Sequence, residues 1–156
     1  MKVKIDGLRE LDAALGEFSK ATARGILRRV GIKALEPVAE RMREMAPDDP
    51  ETNGNDLRSS IIVGTKLSPR QAKSKRGEKK AGETSFVEVY AGPGPLPHAH
   101  LQEFGTSHHG PQPFARPAWD EGKDGVLKSV ATDLGAEIDK TAKRLAARAA
   151  RKAMKG

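Results

Sequence analysis

Apolar residues in the first third of the chain recur with the period of an α-helix. The first series is Leu8, Leu11, Leu15 and Phe18, spaced three and four residues apart. Such spacing places the side chains on one face of a helix. A later series reaches Met45 but contains Pro37, which lacks the backbone N–H that a helix interior needs. The pattern therefore predicts helices at residues 8–35 and 37–45, preceded by a short strand at residues 3–5.

The middle of the chain alternates between apolar and polar positions, which is typical of half-buried strands. Ile61, Val63 and Leu67 fall on one face of a strand predicted at residues 57–67, and a second strand is predicted at residues 84–91. The connection between them, residues 68–82, contains no large apolar side chain. Most hairpin loops need only about 2–5 residues, so we expect this connection to be a flexible hairpin tip.

The last third of the chain predicts a long C-terminal helix. Residues 98–104 can form one or two helical turns that end at Gly105, because glycine tolerates the left-handed conformation. Before this turn, the glycine- and proline-rich run at residues 92–97 is expected to end the second strand. Pro117 suits the first position of a helix predicted at residues 118–150. Few large apolar residues follow Ile138, so residues 139–156 are expected to project as a basic helical tail.

These elements predict an α+β fold in a single domain, residues 1–156. The expected architecture is a long N-terminal helix, a small antiparallel sheet of about three or four strands with a long basic hairpin tip, and a long C-terminal helix. No signal peptide and no membrane span is readable, because the chain lacks a long apolar run. We therefore expect a protein of the cytoplasmic type.

The chain has a net charge of +7, and this charge is concentrated in two segments. Residues 68–82 carry a net +5 and residues 138–156 a net +6, which leaves −4 for the remainder. The candidate contacts to DNA or to an acidic partner are Arg70, Lys73, Lys75, Arg76, Lys79, Lys80, Lys143, Arg144, Arg148 and Arg151. Against DNA binding, aromatic residues are only 4% of the chain and no nucleic-acid-binding motif is readable.

Catalytic and cofactor chemistry has little support in the sequence. The chain has no cysteine, which excludes a disulfide framework and thiolate metal sites. No Gly-x-Ser-x-Gly turn and no phosphate-binding glycine loop occurs, so we expect neither an enzyme nor a cofactor. His98, His100, His108 and His109 are weak candidates for a metal site, because they lack the helical spacing of known zinc motifs. We expect no native metal, and solvated or interface histidines instead.

One segment near these histidines resembles a known family signature. It joins a Glu-Phe-Gly-Thr element to a Pro-Phe-x-Arg-Pro-Ala element a few residues later. The matching residues are Glu103, Phe104, Gly105, Thr106, Pro113, Phe114, Arg116, Pro117 and Ala118. This pattern is similar to that of the phage tail-component family of long-tailed bacteriophages, the neck or tail-completion proteins related to lambda minor tail protein Z.

The resemblance implies a structural virion protein, assembled in the host bacterial cytoplasm. Such a protein would form a homo-oligomeric ring, plausibly of six subunits, around the DNA path. Its partners would be the head connector and the tail terminator or tail tube proteins, with DNA in the channel as a further contact. The alternative function is a sequence-independent DNA-binding protein, and the third is a metal-dependent enzyme that uses the histidines.

The signature residues also have a physical interpretation. Phe114 would be an apolar anchor on an arm stiffened by prolines, and Glu103 could pair with Arg116 to hold that arm to the body. Equally, Phe104 and Phe114 could be ordinary core residues, since large aromatic side chains are often buried. Both interpretations hold if the core is completed only between subunits.

Overall fold

The computed structural model describes residues 8–47, 56–67, 69–74 and 87–154. In chain order, the elements are α1 (Leu8–Gly16), α2 (Lys20–Met45), α3 (Leu57–Ser60), β1 (Ile61–Gly64), α4 (Pro69–Ser74), β2 (Tyr90–Pro93), α5 (Pro97–Phe104) and α6 (Ala115–Ala153). The described part is mostly helical with a small antiparallel sheet, which is consistent with the predicted α+β class. The strand predicted at residues 3–5 lies outside the described residues.

The scaffold is an antiparallel pair formed by α2 and α6. Three cross-helix ion pairs show that the helices are antiparallel, because the residue number of the α6 partner falls as that of the α2 residue rises. These pairs are Arg29–Glu137 at 2.8 Å, Lys33–Asp133 at 2.9 Å and Arg41–Glu121 at 2.7 Å. The apolar faces of the two helices meet beside this row of charges and bury two clusters.

The two clusters lie at opposite ends of the helix pair. The first contains Val38, Ala39, Met42, Ala46, Leu57, Ile61, Ala99, Phe114 and Ala118. The second contains Leu15, Ala23, Ile26, Val30, Leu134 and Ile138. The first cluster joins α2 and α6 to the sheet and α5, and the second joins them to α1. Burial of these side chains is the main force that holds the helices together.

Close contact between α2 and α6 depends on a glycine. A Cβ built on Gly122 would lie 2.6 Å from Cγ2 of Val38, so a larger residue there would push the helices apart. Gly31 of α2 has the same role towards the segment before β2, since its built Cβ would lie 2.7 Å from Cγ2 of Val89. Glycine is therefore needed for packing at both positions.

The N-terminal helix breaks at a different place from the one predicted. Pro37 lies inside α2, which continues unbroken to Met45, so the predicted division at Pro37 is wrong. The break lies instead at residues 17–19, where Ser19 is the N-cap of α2 and its hydroxyl accepts a hydrogen bond from the backbone N–H of Thr22. Burial of Val38 and Ala39 beside the proline holds this part of α2 in the first core cluster.

The sheet has two strands in the part of the chain that the structure describes, and a third or fourth strand is not confirmed. β1 and β2 pair antiparallel, with Ile61 opposite Pro93 and Gly64 opposite Tyr90. The strand predicted at residues 57–67 was too wide at both ends, because Asp56 caps a helical turn at residues 57–60 and the chain leaves the strand after Gly64, so that residues 65–67 are irregular. Residues 87–89 precede β2, and residues 84–86 lie outside the described range. β2 ends at Pro93, inside the glycine- and proline-rich run at residues 92–97 that was predicted to end it, so the strand extends two residues beyond its predicted end at Ala91.

The C-terminal helix begins earlier than predicted. Phe114 is the N-cap of α6 and Pro117 is its third residue, not its first. Thr141 is 1% exposed, whereas every residue from 142 to 154 is exposed on the surface of the helix. Among the described residues, no helix is both long and apolar enough to span a membrane.

Candidate functional site

The signature residues form the joint between α5 and α6. The Glu-Phe-Gly-Thr element closes α5, and the Pro-Phe-x-Arg-Pro-Ala element opens α6. The end of α5 at Gly105 is confirmed, and the helix begins at Pro97. The loop between the two elements returns the chain to α5, where the backbone N–H of Gln112 donates to the carbonyl oxygen of Gln102 at 2.8 Å. The two halves of the signature are therefore in contact.

Glu103 caps the N-terminus of α6 with its carboxylate. The backbone N–H groups of Phe114 and Ala115 donate to Oε2 at 2.8 and 3.0 Å, and that of Arg116 donates to Oε1 at 3.1 Å. A helix leaves its first N–H groups without intrahelical partners, and the positive end of its dipole favours an anion there. Glu103 thus supplies, from another helix, the cap that α6 lacks in its own sequence.

The predicted pairing of Glu103 with Arg116 is present in the structure. Arg116 donates from Nε to Oε1 of Glu103 at 2.9 Å, and from Nη2 to the carbonyl oxygen of Glu103 at 3.2 Å. The side chain of Glu103 is 7% exposed, whereas that of Arg116 is 59% exposed. The ion pair therefore links a buried carboxylate to a guanidinium group on the surface.

Opposing effects act on the pKa of Glu103. Burial disfavours the charged carboxylate and would raise the pKa. The hydrogen bonds from the backbone N–H of Ala115, the Arg116 side chain and the backbone N–H groups of Phe114 and Arg116 favour the charged form and outweigh burial. The pKa of Glu103 consequently lies below its ordinary value, and the carboxylate is an ionised structural cap at neutral pH.

Gly105 and Thr106 shape the loop that brings the two elements together. Gly105 has φ +78° and ψ 176°, a conformation that is essentially restricted to glycine. A Cβ at this position would lie 2.8 Å from the backbone nitrogen of Pro111. The hydroxyl of Thr106 accepts hydrogen bonds from the backbone N–H groups of His108 and His109 at 3.1 and 3.2 Å. Each residue therefore has a specific geometric role in the loop.

The two phenylalanines of the signature have different environments. Phe114 is 1% exposed and belongs to the first core cluster, together with Ala118. Phe104 is 56% exposed. The guanidinium carbon of Arg116 lies 4.7 Å from the centre of the Phe104 ring. The centre of the His100 ring lies 5.0 Å from the centre of the same phenylalanine ring. The core interpretation therefore applies to Phe114, and the exposed aromatic residue is Phe104.

An open groove of about 740 Å³ lies beside Phe104, between the sheet and α5. Ile62, which is 61% exposed on β1, lines it together with Phe104. Ala99 and Phe114 also line the groove, so it reaches the first core cluster. Sequence patterns did not reveal this groove, although the alternation in β1 does place Ile62 on the face opposite buried Ile61.

The remaining candidate residues are distributed over separate parts of the molecule. Lys73 is exposed on α4, and Arg70 lies on the same short helix. Lys75, Arg76, Lys79 and Lys80 lie outside the described residues, as does residue range 75–82 of the predicted hairpin tip. Lys143, Arg144, Arg148 and Arg151 are exposed on the last turns of α6. Pro113 is exposed and Pro117 is half-buried at the start of that helix.

The four histidines take separate structural positions. His100 packs on Phe104, and Nδ1 of His109 lies 2.8 Å from the carbonyl oxygen of Gly110. His98 is half-buried on α5, and His108 is exposed in the following loop. Within the residues that the structure describes, no group of three or more histidine, cysteine or acidic side chains is arranged to hold a metal ion.

The signature residues thus form a capped helical joint that presents an aromatic side chain beside a groove. Residues 9–105 match the HK97-gp10-like family model, described as "Bacteriophage HK97-gp10, putative tail-component". The match covers more than half of the chain, so this chain belongs to that family and is a bacteriophage tail-component protein, as the signature predicted. It ends at Gly105, so the second half of the signature lies beyond it. Comparisons with curated proteins and with solved structures gave no significant match.

Proposed function

We propose that this protein is a neck or tail-completion component of a bacteriophage virion. It forms a homo-oligomeric ring of six subunits around the DNA path. The ring joins the tail tube, directly or through the tail terminator, to the head connector. Assembly takes place in the host bacterial cytoplasm, and the finished protein resides in the virion. Family membership supports the structural role. The geometry of the signature region supports assembly of the chain into an oligomer.

The observation that carries the proposal is the exposure of Phe104 beside the groove. Glu103 and Gly105, on either side of it, are fixed by the α6 cap and by the strained turn. The aromatic ring is therefore held at the surface by a rigid frame, and little conformational freedom remains to be lost when a partner docks. Exposed aromatic side chains next to a pocket are typical anchors of protein interfaces. We assign this surface, Phe104 and Ile62 with the groove between them, to contact between subunits.

The test is the mass of the purified chain in solution, measured by light scattering for the unmodified protein and for Phe104→Ala. We expect an oligomer for the unmodified chain and a lower mass for the variant. Helical content should not change, because Phe104 is outside the buried clusters.

Leu127→Ala is the matched control, since Leu127 is 39% exposed on α6 and does not line the groove. This control should keep the mass of the unmodified protein. An unchanged mass for Phe104→Ala would remove the assembly role of this surface. Equal losses in both variants would show that exposed apolar residues associate without a defined interface.

A further inference from the structure

The end of α6 has an uneven distribution of charge around its axis. At 3.6 residues per turn, all basic side chains of its last turns fall within about half of the circumference. They are Lys140, Lys143, Arg144, Arg148, Arg151 and Lys152. The opposite side is covered by Ala142, Ala146, Ala149, Ala150 and Ala153. We call residues 140–154 the basic tail.

The basic tail is separate from both core clusters. Residues 142–154 are exposed, and no residue after Thr141 belongs to a buried cluster among the described residues. The sequence contains no acidic residue after Asp139. Within the described part, the ion pair of Lys140 with Glu137, at 3.7 Å, lies at the start of the tail. The other cations extend into solvent.

Helix stability alone does not account for this charge. Cations complement the helix dipole only within the last turn, which applies to Arg151 and Lys152. Lys143, Arg144 and Arg148 lie further back, and like charges three or four residues apart weaken an isolated helix slightly. A helix that needed only solubility would mix both signs of charge. The basic side is therefore suited to a partner with dense negative charge.

The composition of the tail favours nucleic acid over an acidic protein. A protein interface needs a desolvated core of aromatic or large aliphatic anchors. The tail offers only Leu145 and Met154, on a surface that is otherwise basic or alanine. Phosphate contacts need no such core, because release of counterions supplies the free energy of binding. The tail is about 20 Å long, and duplex DNA presents about a dozen phosphates over that length.

We propose that the basic tail binds the phosphate backbone of duplex DNA without reading its sequence. The proposal is independent of the oligomeric ring, since the tail lies on α6 beyond both core clusters and does not line the signature groove. Binding should weaken steeply as salt rises, because each neutralised phosphate contributes about −0.9 to the slope of log affinity against log salt.

The experiment measures the affinity of the full chain for a labelled 20-base-pair duplex by fluorescence anisotropy at several salt concentrations. The test variant is Lys143→Gln/Arg144→Gln/Arg148→Gln/Arg151→Gln. It should lose at least about tenfold in affinity at low salt, and its salt slope should become shallower by about 3 to 4. Competition with a duplex of unrelated sequence should be equal to competition with the original.

A matched control removes four charges from elsewhere on the surface. Arg9→Gln/Lys20→Gln/Arg24→Gln/Arg28→Gln changes exposed residues of α1 and α2 and gives the same net charge as the test variant. It should keep the affinity within about threefold and the slope within about 1. Circular dichroism verifies that both variants are folded.

Three results would overturn the proposal. They are negligible binding of the unmodified chain at low salt, equal losses in the two variants, and a test variant that binds as the unmodified chain does. Light scattering of the same samples reports the oligomer separately. Failure of DNA binding with an intact oligomer therefore leaves the proposed assembly role unaffected, and the reverse also holds.

Discussion

The capping of α6 by Glu103 makes a quantitative prediction. Glu103→Gln removes the negative charge and replaces one acceptor oxygen with an NH₂ group, which cannot accept from the backbone N–H groups of Phe114 and Ala115. One N-cap hydrogen bond contributes about 1 kcal/mol, and a hydrogen bond to a charged group about 1.5–3 kcal/mol. Because these interactions are buried and coupled, we expect the free energy of unfolding at pH 7 to fall by about 2–4 kcal/mol. The Tm should fall by about 5–15 °C.

The pH dependence of this effect follows from the lowered pKa of Glu103. The folded state holds the proton more weakly than the unfolded state, so the carboxylate stabilises the fold at pH values above its unfolded pKa of about 4.3. That contribution declines as the pH falls below this value and through the lower pKa of the folded state. The difference in stability between the unmodified chain and Glu103→Gln should therefore be largest near pH 7 and shrink below about pH 4.

Urea unfolding followed by circular dichroism at pH 7 and at pH 3 provides the assay. Glu40→Gln is the control, because Glu40 is an exposed glutamate of α2 and a surface change of this kind should alter stability by less than about 0.5 kcal/mol. If Glu103→Gln matched Glu40→Gln at pH 7, the cap would not stabilise α6. A loss that stayed constant from pH 7 to pH 3 would show that the charge of Glu103 is not its cause.

Four further substitutions test the packing and the turn, each by urea unfolding. Gly122→Ala should destabilise the fold by about 1–3 kcal/mol because the new methyl group would overlap Val38, whereas Gly125→Ala has open space and should stabilise α6 by about 0.5–1 kcal/mol. Equal effects of the two would refute the close approach of α2 and α6. Gly105→Ala should cost about 1–3 kcal/mol because alanine avoids this positive φ, and a neutral result would contradict the strained turn. Phe114→Ala should cost about 3–5 kcal/mol as a buried aromatic residue, and a cost below about 1 kcal/mol would contradict its burial.

The helix pattern predicted the main elements, but the local signals for their ends competed. A proline in a helix interior costs about 3 kcal/mol, so Pro37 was the stronger break on propensity alone. In the fold, that cost is offset by burial of Val38 and Ala39 against α6, which a sequence does not show. Ser19 is a favoured N-cap residue and marks the observed start of α2, so the capping pattern was the more reliable signal here.

The short strands were harder to delimit. Pro93 has no N–H to donate, and it occupies the last position of β2 opposite Ile61, so the strand continues two residues past its predicted end at Ala91. Asp56 offers a side-chain cap to the N–H of Arg58, and the resulting helical turn displaces the start of β1 to Ile61. Both bounds depend on local backbone conformation, which the alternation of apolar residues does not encode.

The signature residues could be found from the sequence, whereas their roles could not be separated. The charges of Glu103 and Arg116 predicted their ion pair, which the structure contains. The cap escaped prediction because Glu103 lies far outside the first turn of α6, where local capping patterns are sought. Nothing in the sequence distinguishes Phe104 from Phe114. Phe114, the N-cap residue of α6, donates its backbone N–H to Glu103 and is buried in the core, whereas Phe104, next to the capping glutamate, lies at the surface.

The central claim is that this chain is a structural component of a phage particle. Quantitative mass spectrometry of purified particles, produced from the genome that encodes the chain, tests it most directly. The claim predicts that the chain co-purifies with the particles at a fixed small number of copies, well below that of the protein that builds the tail tube. Particles that are complete and infectious but lack the chain would contradict it.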